Sequence, residues 1–100
     1  MSKFCMVLLA PPNIEEKLLD VLLQAVREAV FTSTPAFSHC MSHGRLSSME
    51  QVMGRSAAVQ IQILLSEPAM NELIARLREE FRGSGLRYWA SLLALEGVIE

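Results

Sequence analysis

The chain has little of what a secreted scaffold, a membrane span or a nucleic-acid binder needs. Only two of its 100 residues are cysteine, Cys5 and Cys40. Two widely spaced cysteines make no disulfide framework, and a reduced, cytoplasmic setting is the expectation. Basic charge is scarce: nine Lys and Arg against eleven Asp and Glu leave a net charge of −2. A nucleic-acid partner requires a basic footprint to displace counterions from phosphates, and a membrane-surface protein requires a polybasic patch, so both classes are disfavoured. No apolar run approaches the roughly eighteen residues that cross a bilayer. The apolar stretch 4–10 carries one preceding charge, Lys3, and runs into Pro11-Pro12, unlike a signal peptide. Internal repeats and low-complexity segments are also lacking.

What is present is apolar: 51% of the residues. One hundred residues make a single domain, 1–100, that buries roughly two-thirds of its unfolded surface. An apolar half is rich for a lone soluble chain, which predicts a face covered by further copies.

Residues 3–9 read as a buried strand stopped by the two prolines. Asn13, with Glu16 three residues on, has the form of a capping box. Ile14, Leu18, Leu22, Ala25 and Ala29 then recur at helical spacing, which predicts a helix ending near Glu28. Residues 30–37 are β-branched and aromatic and predict a second strand, placed partly at an edge or bend by Pro35. Residues 38–56 are polar, contain Gly44 and Gly54, hold no steady period and read as a long mobile loop, with a helical turn around 49–53. Residues 57–65 alternate, with Val59, Ile61 and Ile63 on one face and Gln60 and Gln62 on the other. Ser66-Glu67-Pro68 opens a second helix with the stripe Met70, Leu73, Ile74, Leu77 and Phe81. Gly83-Ser84-Gly85 ends it, and residues 86–95 read as the fourth strand.

The order β, α, β, loop, β, α, β predicts an α+β, ferredoxin-like βαββαβ fold: a four-stranded antiparallel sheet with both helices on one face. The other face then lacks cover, and self-association supplies it economically.

Several stretches carry a resemblance: Phe31-Thr32-Ser33, His43-Gly44, Leu46-Ser47, Glu50-Gln51-Val52-Met53-Gly54-Arg55 and Arg87-Tyr88-Trp89. Across nearly its whole length the chain resembles a bacterial family of unknown function within the PII-like (GlnB-like) superfamily, often encoded beside heavy-metal efflux pumps of the resistance-nodulation-division type. The resemblance implies a homotrimer, a partner-engaging T-loop between strands two and three, and a small-ligand cleft between subunits. It also implies a signalling role, with a transporter or regulatory protein as partner. The chain departs from nucleotide-binding members at its end, where residues 92–100 contain no Arg or Lys to meet phosphates.

Three constellations are candidates for function. His39, Cys40 and His43, with Met41 between them, offer imidazole, thiolate and thioether groups suited to a soft ion such as Cu(I), Zn or Ag(I). The bland alternative is a polar loop. Gly83 and Gly85 with Arg87 can cradle an anion, Arg45 and Arg55 bracket the loop and can clamp one, and Trp89 lines the implied cleft. The alternatives are a helix cap, solvated charge and, for Tyr88 and Trp89, core packing. Glu50, Gln51 and Gly54 form the loop base, where they hold backbone or meet a partner. No nucleophile–base pair or paired carboxylates on rigid elements are apparent, so a binding module is expected and not an enzyme. No cofactor is assigned; a soft metal ion suits the chain better than a nucleotide. The two functional readings are a ligand- or metal-sensing PII-like regulator and a soft-metal binding protein or chaperone.

Overall fold

The computed structural model describes residues 2–26, 29–39 and 56–100. Strand β1 spans Lys3–Ala10, and Pro11 and Pro12 turn the chain into a 3₁₀ turn at Pro12–Ile14. Helix α1 follows at Glu15–Ala25, with Glu15 and Glu16 in its first turn, where carboxylates meet the positive end of the helix dipole. Strand β2 is Phe31–Ser38, β3 is Ser56–Ser66, α2 is Glu67–Glu80 and β4 is Arg87–Leu92.

All neighbouring strands are antiparallel, in the order β2-β3-β1-β4. This is the expected α+β ferredoxin-like architecture. Met6, Leu8 and Ala10 of β1 and Val59, Ile61, Ile63 and Leu65 of β3 are buried with Leu18, Val21 and Leu22 of α1 and Met70, Leu73 and Leu77 of α2. The strand residues share one parity, so both helices cover the same face. The helices are braced at their outer surface: Arg76 pairs with Glu80 at 2.6 Å and donates to the Gln24 side chain at 3.0 Å. The Lys17 ammonium lies 5.1 Å from the centre of the Phe81 ring.

Four local expectations are corrected. The capping box at Asn13 does not form: Asn13 lies inside the 3₁₀ turn, and the residue that precedes α1 is Ile14, which makes no side-chain cap. Pro12 starts the turn one residue before Asn13 could act as a cap. Helix α1 ends at Ala25, with Val26 closing it by a backbone bond to Leu22, and not near Glu28. Strand β4 stops at Leu92, where its partner β1 begins; Leu93 adds one bond, to the Lys3 carbonyl at 2.9 Å. Tyr88 and Trp89 are not core residues, because β4 is a sheet edge and all six of its residues are exposed. Pro35 sits in the opposite edge strand, where a missing donor costs least. Among the described residues no helix is long and apolar enough to cross a membrane.

Candidate functional site

The turn after α2 is built by its own hydrogen bonds. Ser84 donates its amide to the Phe81 carbonyl at 3.1 Å and its hydroxyl to the same oxygen at 2.6 Å. The Leu86 amide donates back to Ser84 Oγ at 3.2 Å. Gly83 and Gly85 have φ of 76° and 86°, a left-handed conformation that glycine adopts without steric cost. Two of the turn's amides are thus used internally. Those of Gly83 and Gly85 are its available donors among the described residues.

From this turn the chain enters β4, which alternates Arg87 and Trp89 onto the face opposite the helices, across from Leu9 and Val7 of β1. The same face presents Gln60 and Gln62 of β3 and, opposite them, Thr34 and Thr32 of β2. The uncovered face is therefore mixed, with an apolar strip along β1 and an amide and hydroxyl strip along β3 and β2. Tyr88 points to the helix side, where its hydroxyl accepts from Arg78 Nη2 at 2.9 Å.

The register brings the candidate residues to one end of the sheet. Ser38 pairs with Ser56, Ala10 with Val59 and Leu9 with Arg87. The end of β2, the start of β3, the end of β1 and the start of β4 therefore lie together. His39 is the exposed residue that follows β2 there. With strands about 4.8 Å apart, the start of β3 lies about 10 Å from the line of β4. Arg87 is level with Gln60, four residues in from Ser56 along β3, and Trp89 with Gln62, so the glycine turn and Arg87 share this end of the sheet with the base of segment 39–55 and Trp89 lies further in. Cys40, His43, Arg45, Glu50, Gln51, Gly54 and Arg55 lie outside the described residues, as does the turn expected around 49–53.

One feature escaped the sequence reading. A groove of about 300 Å³ runs between α2 and β4, with Ile74, Leu77 and Phe81 as its floor, Arg78 and Arg82 on its rim and Leu86 and Tyr88 as its far wall. The available signal was the α2 stripe, which carries Ile74 as a row beyond what the core buries, flanked by arginines four apart. A second cavity, of about 500 Å³, opens at the opposite end of the sheet beside Lys3, Glu72 and Arg76, away from the glycine turn.

The family model described as "Protein of unknown function (DUF3240)" matches residues 1–100. No curated protein matches the chain. Among solved structures it is similar to a DUF3240 family protein from Shewanella baltica, with 16% identity over 100% of this chain and 99% of that one and a TM-score of 0.70. It is similar to a putative PII-like signalling protein from Thermus thermophilus, with 17% identity over 93% and 88% and a TM-score of 0.66. It is also similar to CPII, a nitrogen regulatory PII-like protein from Thiomonas intermedia bound to ADP, AMP and bicarbonate, with 14% identity over 99% and 98% and a TM-score of 0.69. At these identities the likeness is one of fold.

Proposed function

The chain belongs to the DUF3240 family, and we propose that it is a PII-like regulatory binding module that assembles as a homotrimer. In this reading it binds a small ligand at the glycine turn and passes that occupancy to a partner protein through segment 39–55. The observation that carries the reading is the shared end of the sheet: the Ser38–Ser56 pair that closes the base of the segment lies at the same end as the Leu9–Arg87 pair. A ligand held there by the Gly83 and Gly85 amides and the Arg87 guanidinium, with Trp89 beside it, lies within reach of the segment's base. Its binding energy then biases the arrangements open to that segment. The module binds and does not catalyse. Its partner belongs to heavy-metal efflux physiology, a transporter or its regulator.

Two anion-binding groups on one turn, an adjacent indole and the Thiomonas protein's bound ADP and AMP make adenine nucleotides the first probes. The soft-metal reading draws on His39, Cys40 and His43, of which His39 alone is described.

Thermal unfolding with AMP, ADP, bicarbonate and, separately, Cu(I) and Zn(II) tests the proposal. A ligand that binds the folded chain raises Tm by mass action. The expected result is a concentration-dependent rise with an adenine nucleotide, lost in Arg87→Ala. A rise with metal alone, abolished when His39, Cys40 and His43 are replaced, would establish the metal-binding reading instead. No rise with any probe sinks both.

A further inference from the structure

We propose that the groove between α2 and β4 receives the C-terminal segment 93–100 of a second copy of this chain. The groove is apolar at its floor and cationic at its rim: Ile74, Leu77 and Phe81 lie between Arg78 and Arg82. Segment 93–100 has the complementary character. Its apolar residues Leu95, Val98 and Ile99 are almost wholly exposed, Ile99 completely. Its only charges are Glu96 and Glu100, and it has no basic residue. Three large apolar side chains exposed within five residues are an uncommon surface unless something covers them.

The segment is poorly placed to fill the groove of its own chain. The groove lies at the start of β4, beside Leu86 and Tyr88, whereas the segment leaves the other end of β4, after Leu92. There it is tied to β1: the Leu93 amide donates to the Lys3 carbonyl at 2.9 Å, and Lys3 Nζ lies 3.8 Å from Glu96 Oε1. The six residues of β4 separate the two ends by roughly 17 Å. Residues 97–100 span only about 14 Å when fully extended, short of that distance. A second copy has no such constraint.

Arg78 is held by the Tyr88 hydroxyl and Glu96 by Lys3, which leaves Arg82 and Glu100 to pair across the contact. Ile99 then rests on Phe81 and Leu77. Each copy donates a segment and receives another, a head-to-tail contact that forms a closed ring when the rotation between copies closes. The inference shares only self-association with the proposed function; it does not depend on any ligand.

Sedimentation equilibrium of the full chain tests it, with circular dichroism to establish folding. Ile99→Asp changes a fully exposed side chain, so the fold persists. We expect it to weaken self-association about tenfold or more. Arg82→Glu and Glu100→Arg each weaken it several-fold, and the double variant R82E/E100R recovers most of the loss. Unchanged association in Ile99→Asp and Arg82→Glu overturns the docking while leaving the trimer intact. A monomeric wild-type chain at micromolar concentration overturns both.

Discussion

Trp89 stands directly opposite Val7 in the β1–β4 ladder, on the face of the sheet that neither helix covers. Val7 is nonetheless only 9% exposed, while the indole that flanks it is 44% exposed. An exposed ring is usual where a second surface completes the cover.

Trp89 is the chain's single tryptophan, so its emission reports on this face alone. If copies pack sheet to sheet, the emission maximum shifts to the blue as concentration rises through the assembly range. Trp89→Ala weakens assembly, yet lowers the unfolding free energy of the isolated chain by only about 1–2 kcal/mol, below the ~3–5 kcal/mol of a fully buried aromatic. Emission fixed at the wavelength of a hydrated indole at every concentration shows that the face stays wet.

The two helix starts separate a working cap from an apparent one. Ser66 Oγ accepts from the Ala69 amide at 3.4 Å, so Ser66→Ala costs about 1 kcal/mol. Asn13 makes no cap, so Asn13→Ala changes stability by less than about 0.5 kcal/mol. Urea denaturation of both variants checks the pair. Equal losses would mean that Asn13 does cap α1.

These two positions also show what was legible in the sequence. Ser66 is followed by a proline inside the first turn of α2, and β3 alternates cleanly between Val59, Ile61, Ile63 and the glutamines, so local pattern and burial agree. At Asn13 the local pattern was equally plausible, but Pro12 had already turned the chain. The C-terminal end of β4 was not legible, because a strand stops where its partner does, and Leu92 pairs there with Phe4, 88 residues away in sequence. For the same reason Gly83, Gly85, Arg87 and Trp89 could be named as a group. That the glycine turn and Arg87 share the end of the sheet with the base of segment 39–55 emerges only from the register of three ladders.

Gly83 has φ of 76°, and a Cβ there would meet nothing within 4 Å, as is also true at Gly97. Space is therefore not the obstacle at either site; backbone conformation alone is the obstacle at Gly83. Gly83→Ala costs roughly 1–2 kcal/mol and Gly83→Asn less, since asparagine tolerates the left-handed region. Gly97→Ala is close to neutral. The ranking Ala, Asn, wild type in Tm checks the claim. A fully stable Gly83→Ala would mean that the turn has a second accessible conformation.

Leu8 and Leu9 are neighbours in β1 that face opposite ways. Leu8 is 0% exposed beneath the helices, whereas Leu9 is half-buried on the uncovered face, opposite Arg87. Leu8→Ala leaves a cavity inside one chain and costs about 2–5 kcal/mol whatever the protein concentration. If another copy completes the cover of Leu9, the cost of Leu9→Ala is small in dilute solution and grows as assembly proceeds. Denaturation of both variants at several protein concentrations separates the two faces. A Leu9→Ala penalty independent of concentration would show that this face gains nothing from a second molecule.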